Sequence, residues 1–263
     1  MIFLIYLGLG AFAGLLAGLF GIGGGLIIVP VLVVAFTWLG FSTEILVHLA
    51  VGTSLATIIP TSISSTWSHH QKASVDWSIF SVLAPAILCG ALLGAWTASL
   101  LSAALLQGVL GVFVLLVAAK MAFKLDPPAR EQPVPPWVLL PAGGIIGWAS
   151  AIFGIGGGTL SVPFLSWCRL NMRLAVGTSA ALGLPIALFG ALGNLWTGWQ
   201  QPDLPAAASG FIYWPAFLGI VLMSVPFARL GARLAHYLPE ARLKQLFALL
   251  LFCVGIKFLF FPA

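Results

Sequence analysis

Charge is what this sequence has least of. Among 263 residues only 6% are Asp, Glu, Lys or Arg, against 61% hydrophobic, where a soluble domain carries roughly 25% charged residues. A water-soluble fold of this size cannot cover its surface with so few charges, so the solvent for most of the chain is lipid. Carboxylates are scarcer still: Glu44, Asp76, Asp126, Glu131, Asp203 and Glu240 all fall in loops or at the ends of apolar segments. That excludes the paired acids of hydrolases and the mid-membrane carboxylate relays of proton-driven pumps. No HExxH helix, GxSxG turn or Gly-Lys phosphate loop is present, so the chain is expected to be no enzyme and to hold no cofactor. Cys89, Cys168 and Cys253 are isolated and odd in number, which excludes a disulfide framework and reads as small packing residues. His69 and His70 beside Lys72 have no third ligand near, so no metal site is expected. The net charge of +5 comes without a basic patch interleaved with aromatics, which excludes nucleic acid as a partner.

What is present is a series of apolar runs, each long enough to cross about 30 Å of hydrocarbon as a helix or to dip into it. Unbroken runs such as Leu105 to Ala119 do not alternate, so they cannot be strands of a β-barrel. The predicted fold is therefore all-α and polytopic, because lipid cannot satisfy the backbone of an open sheet. The run from Ile2 to Phe20 lacks a basic leader and is expected to be a retained segment rather than a signal peptide.

The chain also repeats itself. Phe20-Gly21-Ile22-Gly23-Gly24-Gly25 recurs as Phe153-Gly154-Ile155-Gly156-Gly157-Gly158, and the copies lead to Val29-Pro30 and Val162-Pro163. Val51-Gly52-Thr53-Ser54 recurs as Val176-Gly177-Thr178-Ser179, Pro60 matches Pro185, and Trp77, Gly94 and Lys120 match Trp214, Gly231 and Lys257. Such order is the signature of a duplicated unit. An N-terminal repeat (1–123) and a C-terminal repeat (137–263) meet at a linker (124–136), stiffened by Pro127, Pro128, Pro133, Pro135 and Pro136. Each repeat carries about five apolar segments, placed at 2–20, 26–39, 45–66, 77–99 and 103–123, then 137–153, 159–168, 173–196, 211–232 and 242–261. The segments after the glycine motifs are short, so each repeat is expected to begin with a hairpin whose glycine tip lies near mid-membrane. Whether that hairpin spans or is re-entrant stays open. A second break is expected at the Gly-Thr-Ser runs. An odd number of crossings per repeat puts every Lys and Arg except Lys257 on one side. The positive-inside rule then predicts inverted-topology repeats, with residues 67–76, 124–136 and 233–241 cytoplasmic and both termini periplasmic.

Candidate site residues follow from chemistry. A glycine run that opens a helix leaves amides bare at the positive end of a dipole, which suits an anion, so Gly23, Gly24, Gly25, Gly156, Gly157 and Gly158 are expected to contact substrate. Thr53, Ser54, Thr178 and Ser179 would add hydroxyl donors without a fixed charge that holds the ion too tightly; the alternative is back-bonding within the helix. Ser62, Ser65, Thr159 and Ser161 are weaker candidates. Gly10, Gly14 and Gly18 read instead as a packing stripe, and alanine at Gly24 or Gly157 is expected to spare stability. His48, a titratable group inside a segment, is a candidate for coupling or gating, or a hydrogen-bonded residue of the outer boundary. Asp76 reads as the N-cap of the fourth segment. Arg229 and Arg233 mark a cytoplasmic helix end, with gating as the second reading.

The two glycine tips with their Val-Pro, the Gly-Thr-Ser runs, Val75-Asp76-Trp77 and Arg233-Leu234-Ala235-His236 together resemble the sulfite exporter family, TauE/SafE, also called the 4-toluene sulfonate uptake permease family. The resemblance covers nearly the whole chain. It implies export of sulfite, sulfoacetate or another organosulfonate across a bacterial inner membrane, with a small sulfur anion and the lipid bilayer as partners; a homo-oligomer is left open. Two other readings stand beside export: proton-coupled uptake of such an anion through His48, and a membrane receptor or assembly subunit without transport. Ile212-Tyr213-Trp214 in place of Val75-Asp76-Trp77, and Ala180-Ala181 after Thr178-Ser179, make the two half-sites unequal.

Overall fold

The computed structural model describes residues 2–20, 25–123, 135–235 and 240–260. Gly23, Gly24, His236 and linker residues 124–134 lie outside them. The described residues form α1 (Ile2–Phe20), α2 (Gly25–Trp38), α3 (Leu46–Gln71), α4 (Trp77–Leu100), α5 (Ala103–Phe123), α6 (Pro136–Phe153), α7 (Gly158–Trp167), α8 (Met172–Thr197), α9 (Trp214–Ala235) and α10 (Glu240–Phe260), with one two-stranded hairpin, β1 (Ala208–Ser209) and β2 (Ile212–Tyr213). By length and composition α3, α4, α5 and α8 suffice to cross a membrane.

Local chemistry sets the boundaries. Asp76 caps α4 as expected, its Oδ1 accepting from the amides of Ser78 and Ile79 at 3.0 and 3.1 Å. Asn171 does the same for α8, accepting from Leu174 N–H at 2.9 Å. Pro136 opens α6, where its missing N–H costs nothing. α6 stops at Gly154, whose φ of +64° is left-handed, and the Ile155 amide folds back to the Ser150 carbonyl at 3.0 Å. Exposed Leu105, Val109, Val112 and Leu116 form a helical stripe on α5 that faces away from buried Leu106, Leu110 and Val114, which is the division a lipid-facing helix requires. Exposed Trp38, Trp77, Trp137, Trp196 and Trp214 stand at helix ends, the depth where indole rings favour the membrane interface.

α3 and α8 form the buried centre and run antiparallel. Gly52 lies against Asn194, Leu55 against Gly190, Ser62 against Gly183, and the Thr66 hydroxyl donates to the Ala180 carbonyl at 3.2 Å. α5 and α10 are also antiparallel, with Gln107 at Phe258 and Gly111 at Gly255. Two further pairs join the halves: α1 lies along α9, and α4 along α6. In both pairs glycines allow the backbones to touch, Gly10 at Ile220 and Gly14 at Ser224 in one, Gly90 at Gly144 and Gly94 at Trp148 in the other.

Three expectations need correction. No break occurs at the Gly-Thr-Ser runs: α3 and α8 pass straight through them, and the glycines serve close approach instead. α3 continues to Gln71 rather than ending at 66, because its hydroxyls satisfy the turn before them, Thr61 donating to Ile58 O at 2.9 Å. His69 and His70 are therefore on its last turn and not in a loop, with His70 Nδ1 accepting from Trp77 Nε1 at 3.3 Å. Cys89 and Cys253 are exposed on the outer faces of α4 and α10, not packed inside.

A Cβ at Gly14 would lie 2.6 Å from the Cα and O of Ser224, whereas one at Gly8 meets nothing within 4 Å. Gly14→Val is thus expected to cost about 1–3 kcal/mol and to lower the melting temperature, while Gly8→Ala leaves it unchanged or slightly higher. Thermal unfolding in detergent checks the pair.

Candidate functional site

Gly25, which ends the first glycine run, meets the second glycine tip at the centre of the molecule. A Cβ on Gly25, the first residue of α2, would lie 2.8 Å from Ile155 Cα, 3.0 Å from Gly154 O and 2.8 Å from Ile58 Cδ1. Ile58 is halfway along α3, and it also contacts Gly156. On the far side, Gly157 abuts α8, where its Cβ would fall 2.6 Å from Ser179 O and 3.2 Å from Gly183 N. Gly25 and the second tip are therefore clamped between the middles of the two central helices.

α2 has 14 residues and α7 has 10, so at about 1.5 Å per residue neither crosses about 30 Å of hydrocarbon. Both begin at the centre, Gly25 for α2 and Gly158 for α7. Two helix N-termini thus converge there, each contributing amides and roughly half a positive charge. Among the described residues, α2, α7 and the stretches of α3 and α8 touching the tips hold no Asp, Glu, Lys or Arg. The field at the centre is positive but carries no full charge.

The hydroxyls around the tips divide into engaged and unengaged. Ser54 Oγ donates to Gly154 O at 2.7 Å and so ties α3 to the second tip. Thr53 Oγ1 accepts from Tyr213 N–H at 2.9 Å, and Thr178 Oγ1 accepts from Asp76 N–H at 2.9 Å, so both face connecting segments rather than the tips. Ser179 is different: its Oγ is buried, makes no hydrogen bond, and lies 3.3 Å from the Cβ position of Gly157. Ser161, one turn into α7, is also buried and unpartnered, and so is Ser150 on the last turn of α6. An unmet buried hydroxyl costs about 1–3 kcal/mol, so each of these serines is poor as architecture and suited to donate to a ligand acceptor.

Of the predicted residues, the structure gathers Gly25, Ser54, Gly156, Gly157, Gly158 and Ser179 at this centre and places Thr53 and Thr178 away from it. His48 is further out, buried, with Nε2 3.0 Å from Ala98 O and its ring stacked on Phe211. Arg229 and Arg233 are on α9, with side chains outside the described residues. Sequence reasoning missed Ser150 and underrated Ser161. Ser161 carried a signal, standing one helical turn after Gly158; Ser150 carried none. Alanine at Gly157 cannot spare stability, since its Cβ would be as close to backbone as that of Gly14.

Apolar helices with interfacial tryptophans, two half-length helices and a buried uncharged polar centre define a multi-pass membrane protein of the transporter class. The chain belongs to the sulfite exporter TauE/SafE family, whose sequence model matches residues 6–258. It is 37% identical over 260 residues to a probable membrane transporter protein of Haemophilus influenzae, covering 97% of each chain. A probable membrane transporter protein of Methanocaldococcus jannaschii is 28% identical over 94% of this chain and 91% of its own, and YunE of Bacillus subtilis, also a probable membrane transporter protein, is 24% identical over 99% and 98%. No solved structure matches the chain.

Ser161→Ala and Ser179→Ala each remove an unmet hydroxyl, so the melting temperature is expected to hold or to rise, by about 1 kcal/mol of stability. Ser54→Ala loses a made bond and is expected to fall by about 0.6 kcal/mol. Thermal unfolding of the three variants without ligand checks this.

Proposed function

We propose that this chain exports a small sulfur oxyanion, sulfite or the sulfonate head of a compound such as sulfoacetate, through a site between the two glycine tips. The observation that carries the reading is the convergence of the α2 and α7 N-termini beside the unpartnered hydroxyls of Ser161 and Ser179. Amides at Gly25, Gly156, Gly157 and Gly158 supply donors on one side, and serine hydroxyls supply them on the other; Gly23 and Gly24 are proposed as substrate contacts from the sequence alone. Ser54 and Ser179 stand beside this site, while Thr53 and Thr178 hold the connecting segments further out. Neutral donors suit an ion that must leave again.

The antiparallel courses of α3 with α8 and α5 with α10, counterparts in the duplicated sequence, support repeats of inverted topology. With the Lys and Arg bias, this favours periplasmic termini in a bacterial inner membrane. A potential of 100 mV is worth about 2.3 kcal/mol per charge, roughly a fiftyfold gradient for a monovalent anion leaving a negative interior. Export then needs no proton relay, in keeping with a centre free of carboxylates.

Flux of labelled sulfite or sulfoacetate into proteoliposomes tests the reading. The expected flux follows an imposed potential, ignores a pH gradient when the potential is clamped, and drops about tenfold in the Ser161→Ala, Ser179→Ala double variant, the loss of about 1.4 kcal/mol. Flux that tracks the pH gradient supports proton-coupled uptake instead. Absence of flux for every sulfur anion would overturn transport.

A further inference from the structure

Two connecting segments are built alike and held alike, at opposite ends of the α3 and α8 pair. One strap joins α3 to α4 and the other joins α8 to α9. Ala73 and Gly210, at the same place in each, have left-handed φ of +48° and +53°. Three residues before the next helix, the Ser74 carbonyl presses on Gly177 of α8, and the Phe211 carbonyl presses on Gly52 of α3. Then Asp76 N–H donates to Thr178, and Tyr213 N–H donates to Thr53, both at 2.9 Å. Each strap is thus pinned by the first turns of the other half's central helix.

The pins differ in one respect. Arg173 donates to Ser74 Oγ at 2.9 Å and to Lys72 O at 2.6 Å. At the matching position of α3 stands His48, five residues before Thr53 as Arg173 is before Thr178. It stacks on Phe211, with ring centroids 5.1 Å apart, instead of donating to a hydroxyl. A cavity of about 460 Å³ is lined in part by Thr43, Ser99, Ser102, Gln107, His48 and Phe211. Open space therefore reaches the second strap.

We propose that the two straps are the two gates of the transport path. The 72–76 strap, held by Thr178 and Arg173, closes the cytoplasmic side; the 208–213 strap, held by Thr53 and stacked on His48, closes the periplasmic side. Arg173 and His48 are positioning residues that set how firmly each strap sits. A glycine at 52 or 177 lets the strap carbonyl lie on the helix backbone, so a strap that lifts breaks all its contacts together. The side assignment rests on the inverted topology proposed above; the gates do not.

The test uses the full chain with Cys89, Cys168 and Cys253 replaced by Ser and a reporter at the centre, Ile58→Cys. An impermeant charged thiosulfonate is applied to right-side-out and to inside-out vesicles. Thr178→Val with Ser74→Ala is expected to speed labelling from the cytoplasmic side about tenfold, as for two lost hydrogen bonds at about threefold each, with the other side unchanged. Thr53→Val with Phe211→Ala should do the reverse. Should a double variant fail to fold, Ser74→Ala alone, expected to give about threefold, and Arg173→Lys, expected to stay closest to the parent, carry the comparison. Effects on the opposite sides support the gates and overturn the orientation. Equal change on both sides, or none on either, overturns the gates.

Discussion

Hydrocarbon offers no hydrogen bonds, and that single constraint governs this fold. A helix may stop inside a membrane only if protein takes over from the missing turn. Here α6 stops at Gly154 and α7 starts at Gly158, and the interruption is tolerable because α3 and α8 close around it. Ser54 donates to the Gly154 carbonyl, the Ile155 amide donates back to the Ser150 carbonyl, and Ile58 packs against both Gly25 and Gly156. Long, continuous central helices are therefore the condition for having broken helices beside them. The lipid-facing helices wrap this centre through glycine contacts, since apolar surface alone gives no reason to associate in lipid.

Much of the architecture was legible because it is written in residues with few alternative uses. Glycine runs, prolines and tryptophans mark tips, boundaries and interfaces, and Gly-Ile-Gly, Gly-Thr-Ser and Trp77 with Trp214 recur in the same order along the sequence. What stayed hidden depends on partners distant in sequence. Gly52 and Gly177 look like helix breakers locally, but each makes room for a carbonyl of the other half, so tertiary contact decides and the helices run on. Likewise Thr53 and Ser54 look equivalent in sequence, yet one meets a strap and the other a tip. A hydroxyl's role is set by what stands opposite it, and one sequence does not contain that.

The two halves are related without being interchangeable. Ser54 spends its proton on Gly154, whereas Ser179 keeps its hydroxyl unpartnered beside Gly157, so the same motif builds a brace in one half and an open donor in the other. The straps differ in the same sense: one is held by a guanidinium and an acidic cap, and its counterpart lies among rings, with Tyr213 packed against Tyr6, Phe36 and Phe41. In the proposed anion pathway, such inequality sets where the ion rests and which strap yields first.

The central claim is that the anion sits where the two half-helices point. A structure determined with bound selenite, a heavier analogue of sulfite, locates the ion directly by its anomalous scattering. The account predicts one peak between the first residues of α2 and α7, within hydrogen-bond reach of Ser161 and Ser179. A peak confined to the outer cavity at His48, with both serine hydroxyls still unpartnered, would contradict it.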